Sequence, residues 1–179
     1  TAPAMTANET IRKAIQRIQP ATAGLDGERD TISIPKINMT MTVDEANGNE
    51  EAVLDNGAVH RRPKNGSPVA GGNFVVAAHR FTLAWNPIDT IRKSPLYNFH
   101  HIEVGDPIDV QYSGRTYSYV VTTIDTVAAT DIGIERRTKK PQLTLYSCEL
   151  SGSDSKRDRL IAIPKKDYKK GSSYVPFYI

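Results

Sequence analysis

At 179 residues, 39% of them hydrophobic and 24% charged, the chain is long enough to close one substantial core and too short for several. Its 23 basic and 20 acidic residues leave a formal charge of +3, too small an excess to argue for a nucleic-acid partner. One cysteine excludes an internal disulfide and a cysteine-based zinc site, and no run of about 18 apolar residues is present to cross a membrane as a helix. The chain begins Thr1-Ala2-Pro3 without an initiator methionine, which suggests that an upstream signal or anchor has been removed.

Ile11, Ala14, Ile15 and Ile18 share one face of a helix predicted over about Asn8 to Gln19, with Thr6 or Asn8 as cap and Pro20 as stop. Residues 1–30 therefore read as a helix and linker ahead of one domain over residues 31–179. From Thr31 the period changes to two: Ile32 and Ile34, then Pro35, Ile37, Met39 and Met41, alternate with Ser33, Lys36, Asn38 and Thr40, an opening strand with Pro35 suited to an edge or bulge. Asp44, Glu45, Glu50 and Glu51 flank Asn47-Gly48-Asn49 without the alternate-residue ligand spacing of an EF-hand. They predict a solvated helix and turn, so no cofactor is expected and calcium has no ligand motif.

Gly57 to Gly72 reads as a glycine- and proline-rich loop, followed by a continuous apolar strand, Asn73 to Ala78, that closes on His79. Phe81 to Ser94, with the sole tryptophan, Trp85, is a surface excursion or short helix. His100 and His101 are adjacent, hence on opposite faces of extended chain, and are read as surface residues. Val104-Gly105-Asp106 is a turn, and Pro107–Tyr112 and Thr116–Ile124 form a hairpin through Ser113-Gly114-Arg115.

Beyond the basic stretch Arg136 to Lys140, Leu143 and Leu145 alternate with Thr144, Tyr146 and Cys148, so the cysteine ends a strand off the leucine face. Ser151 to Ser155 is a loop, and Arg159 to Ile163 a further strand. Lys165 to Lys170 reads as a solvated basic tail, with Tyr174 to Ile179 docking as a last strand. Many short strands and few helices imply an all-β barrel or sandwich with peripheral helices.

A strand ending in His79, another ending in Cys148 and a third opening at Arg159 make a chemical set. Thr144-Leu145-Tyr146-Ser147-Cys148, then Arg159-Leu160-Ile161, resembles the Thr-Leu-x-Thr-Cys and arginine signature of the sortases, cysteine transpeptidases of Gram-positive cell surfaces. Gly72-Asn73 with Ala77-Ala78-His79 resembles the family's histidine strand; Ile34-Pro35-Lys36-Ile37, Leu54-Asp55-Asn56-Gly57 and Val104-Gly105-Asp106 fall in the family's order. The resemblance spans about Ile32 to Pro164. Ser147 departs from the usual threonine but keeps its hydroxyl, and no Asp-Pro-aromatic lid of pilus-building members is present.

The resemblance implies an all-β, closed barrel of about eight strands with short peripheral helices and an N-terminal helical appendage. It implies Cys148 as nucleophile, His79 as acid and base, and Arg159 as oxyanion and carbonyl donor, with Thr144, Ser147 and the backbone N–H of Glu149 in support. Arg157, two residues earlier on the same strand face, competes with Arg159, which the family's phasing favours. The implied partners are surface proteins carrying a Leu-Pro-x-Thr-Gly-like sorting signal and an amine acceptor on peptidoglycan or a pilin-type protein, outside the cytoplasmic membrane and tethered to it. Rival readings are a cysteine peptidase that uses water, and a non-catalytic barrel that binds an anionic polymer through its basic ends.

Overall fold

The computed structural model describes residues 29–148 and 155–179, with the backbone alone at Cys148. The predicted helix over Asn8 to Gln19, and Glu149, lie outside those residues. Nine strands follow in chain order: β1 (Thr31–Ile34), β2 (Met39–Glu45), β3 (Ala58–Arg61), β4 (Gly66–Ser67), β5 (Gly71–Ala78), β6 (Pro107–Tyr112), β7 (Arg115–Ala128), β8 (Gln142–Cys148) and β9 (Lys156–Pro164). They hydrogen-bond in the order β3-β2-β1-β6-β7-β9-β8-β5-β4, and an added β3–β5 pairing closes eight of them into a barrel. Closure leaves only the two-residue β4 outside the ring, which removes the long unpaired edges that invite aggregation.

Alternation explains the lining. Ile32, Ile34, Phe74, Val76, Ile108, Val110, Val121, Leu143, Leu145, Leu160 and Ala162 are buried in one interior cluster. Each large aliphatic side chain so buried contributes about 1.5–3 kcal/mol. The opposite faces of β5 and β8 are covered as well: Val75, Ala77 and Tyr146 pack with Val59 and Ile134 in a second cluster. This double burial accounts for the unbroken apolar run of β5.

Pro35 splits the predicted first strand. Pro35–Ile37 form a 3-10 turn and Asn38 sits in the left-handed region at φ 52°, so β1 and β2 pair antiparallel instead of continuing. A residue with no N–H and a fixed φ cannot extend the ladder through that point. The predicted loop Gly57 to Gly72 contains β3 and β4, with Ala58 and Val59 paired to Ala78 and Ala77. Two short helices lie outside the barrel: α1 (Glu50–Leu54), capped by Asn49, and α2 (Pro87–Arg92), capped by Asn86. The expected last strand over Tyr174 to Ile179 is a strap instead, with a single bridge from Tyr178 to Thr138.

Candidate active site

Pairing directions bring the ends of β5, β7 and β8 and the starts of β3 and β9 to one rim of the barrel. β5 and β8 run parallel, with Asn73 beside Gln142 and Ala77 beside Tyr146. His79 and Cys148 each follow the last registered pair, Ala77 with Tyr146, by two residues. Residues 69 apart in sequence are thus neighbours through a ladder each approaches from the same direction. Both positions keep the outward parity of Val75, Ala77 and Tyr146.

The antiparallel partner supplies the guanidinium. β8 and β9 pair Cys148 with Arg157 and Tyr146 with Arg159. Directly opposed residues are about 4.5–5.5 Å apart, and diagonal ones about 7–8 Å. Arg157 is therefore the residue across from Cys148, and Arg159 stands one step along the same face. The Arg159 guanidinium is turned to the neighbouring strand: Nε donates to Asp125 Oδ1 at 2.8 Å and Nη2 to Asp125 Oδ2 at 2.5 Å. Its Nη1 donates to Tyr178 Oη at 3.4 Å. Burial works against the Arg159 charge, but the bond and charge of Asp125 prevail and raise its pKa.

His79 lies just past the ladder, its side chain 19% exposed. Its carbonyl accepts from the Leu96 N–H at 3.2 Å. Nε2 is buried without a hydrogen-bond partner among the described residues, 3.7 Å from Glu51 Oε1 and 3.8 Å from Asp55 Oδ1 of the α1 end. These three side chains form the one donor group among the described residues close enough to share a metal ion. Lys93 Nζ already bonds Asp55 Oδ2 at 2.6 Å and holds that carboxyl below its ordinary pKa, which disfavours a second cation.

Thr144 and Ser147 are buried and serve the scaffold around the rim. Thr144 Oγ1 donates to Asn73 Oδ1 at 2.7 Å and accepts from Gln142 Nε2 at 2.9 Å. Asn73 Nδ2 in turn donates to the carbonyls of Ile134 and Arg136, both at 2.9 Å. One polar cluster thus fastens the segment before β8 onto the outer face of β5 and β8, the reverse of a hydroxyl left free for a substrate. Ser147 shares the interior parity of Leu143 and Leu145 and pairs in register with Asp158.

Glu135 is the other fastening, and no local pattern in the sequence points to it. Its side chain is 8% exposed and accepts from Arg61 Nε and Arg62 Nε, each at 2.9 Å, and from Tyr146 Oη at 2.5 Å. Arg61 Nη1 also contacts Glu50. Burial alone would raise the Glu135 pKa, but the bonds from Tyr146 and Arg61 overcome it and hold the carboxyl low. Burial and the adjacent Glu135 carboxylate push the Tyr146 hydroxyl up, keeping it protonated and donating.

Sortase A of Corynebacterium diphtheriae, in a lid mutant, superposes with TM-score 0.64 at 23% identity, covering 96% of this chain and 86% of that one. Sortase C1 of Streptococcus agalactiae gives TM-score 0.60 at 24% identity, over 89% and 77% of the two chains. Sortase E1 of Streptomyces coelicolor, solved with a tripeptide in its active site, gives 0.61 at 20% identity, over 83% and 98%. At these identities the likeness shows a shared fold. Among curated proteins none matches. The family model of the Sortase domain matches residues 32–167, more than half of the chain, and this chain belongs to the sortase family.

Proposed function

We propose that the chain is a cysteine transpeptidase that cleaves a Leu-Pro-x-Thr-Gly-like sorting signal and joins the new carboxyl end to an amine. The single observation that supports the reading is the register of β8 with its two neighbours: Ala77 pairs with Tyr146, each two residues before His79 and Cys148, and Arg157 pairs with Cys148. The Cys148 thiolate attacks the threonyl carbonyl carbon, and the C–N bond to glycine breaks as His79 gives its proton to the departing amine. The thioester then meets the acceptor amine; His79 takes the amine proton, the new C–N bond forms and the thiolate departs.

A fixed guanidinium over the tetrahedral oxyanion supplies the charge stabilisation. Motif phasing points to Arg159, whose fork is engaged by Asp125; Arg157, whose Nη1 donates to the Lys156 carbonyl at 3.0 Å, is the registered cross-strand partner of Cys148. The reading therefore assigns the oxyanion contact to Arg157 and an anchoring role to Arg159.

No metal enters this chemistry. Family membership supports an enzyme working outside the cytoplasmic membrane, tethered to it, on surface proteins with peptidoglycan or a pilin-type protein as acceptor. Among the described residues no helix is long and apolar enough to cross a membrane. Product analysis of a sorting-signal peptide with and without oligoglycine tests the proposal: a ligated product that rises with oligoglycine is expected. Hydrolysed peptide alone at every oligoglycine concentration would establish the water-using peptidase in its place.

A further inference from the structure

The ladder that aligns β5 with β8 stops at Ala77, two residues short of His79. What fixes the chain beyond that point is the next residue. Arg80 is 3% exposed, and its Nη1 donates to Asp158 Oδ2 at 2.9 Å. The other oxygen, Asp158 Oδ1, accepts from Thr126 Oγ1 at 3.0 Å. The Arg80 guanidinium carbon lies 5.1 Å from the centre of the Phe99 ring, and Nε is buried without a hydrogen-bond partner among the described residues.

Arg80 directly follows His79, and Asp158 directly follows Arg157. Alternation turns 79 and 157 to the outer face and 80 and 158 inward, so the two candidate groups stand above an ion pair that spans the rim beneath them. Asp158 is also the registered partner of Ser147, the residue before Cys148. One pair thus reaches from the end of β5, behind β8, to the start of β9.

Stability does not account for such a pair. Taking the charges largely out of water, with Arg80 3% and Asp158 17% exposed, offsets much of their attraction; hydrophobic replacements of similar volume commonly fold as well or better. A largely buried pair whose two members each adjoin a candidate catalytic residue has placement as its advantage. We propose that Arg80 and Asp158 are positioning residues that hold His79 and Arg157 at a fixed separation across Cys148. This inference rests on the transpeptidase reading. Misplacement of a reacting group by about 1 Å costs on the order of 100-fold in rate.

The test replaces the pair as a unit, Arg80→Met with Asp158→Leu, in the full chain, with Asp158→Asn as a second variant should the double variant not fold. Thermal melting, and kcat and KM for a sorting-signal peptide with oligoglycine, are measured for each. The expected result is a folded double variant with kcat lowered 30-fold or more and KM within about threefold of wild type, a split that loss of fold would not give. Asp158→Asn is expected to show the same split at smaller size. A folded variant with wild-type kcat overturns the inference while leaving the transpeptidase reading intact. Absence of turnover in the wild-type protein overturns both.

Discussion

Arg157 and Arg159 share one strand face, yet their surroundings assign them different work. Arg159→Ala should leave Asp125 without its bidentate partner and lower stability by about 1–3 kcal/mol, with turnover kept within tenfold. Arg157→Ala should lower kcat about 100- to 1000-fold. Denaturant unfolding and peptide turnover on the two variants check both statements, and the reversed pattern would return the oxyanion role to Arg159. Glu135 provides a pH test. Its folded pKa is lowered, so its stabilisation is present above the ordinary carboxylate range and is lost as pH falls through the folded value. Glu135→Gln should melt below wild type at pH 7, and the gap should narrow as pH falls below the ordinary carboxylate range; a gap that stays constant down to the acid unfolding of wild type would contradict the assignment.

Between β7 and β8 the segment over residues 129–141 has few regular bonds of its own and is held from three sides. Asn73 grips two of its carbonyls, Glu135 is clamped by Arg61, Arg62 and Tyr146, and the C-terminal strap closes over it. Lys139 donates its N–H to Phe177 O at 2.9 Å, Ile179 donates to Arg137 O at 2.8 Å, and Tyr174 Oη donates to Gln142 Oε1 at 2.9 Å. Deleting residues 172–179 should leave the barrel folded while the Lys139 amide exchanges with solvent at least tenfold faster, because its acceptor is gone. The Gly105 amide, bonded to Val121 O within the barrel wall, is the internal control. Unchanged exchange at Lys139 would show that the strap does not hold the segment.

At the scale of the whole molecule, alternation made much of the barrel legible: the leucines of β8, the continuous run of β5 and the β6–β7 hairpin each carry a period or turn signal in their own residues. His79 directly follows β5 and Cys148 ends β8, so both lie at the close of runs whose period is visible in their own residues. The strands hidden in the predicted loop after Gly57 did not show, because Ala58–Arg61 is four residues long and is defined by its partner across the barrel closure. The Glu135 clamp, the Asp125 fork and the Arg80–Asp158 pair were equally illegible. Their ion pairs join residues 34 to 78 positions apart, and such pairings have no local period. Register, a property of two strands together, likewise separates Arg157 from Arg159, where spacing along one strand could not.

The central claim is that the rim gathers these groups so that the residue 148 thiol carries the acyl chain from one amine to another. Intact-protein mass measured during incubation with a sorting-signal peptide, before and after hydroxylamine, tests it most directly. The account predicts a hydroxylamine-sensitive adduct equal to the acyl fragment, present in wild type, chased into product by oligoglycine and absent from Cys148→Ala. Peptide cleavage that persists in Cys148→Ala, or wild-type protein that neither forms the adduct nor turns over the peptide, would contradict it.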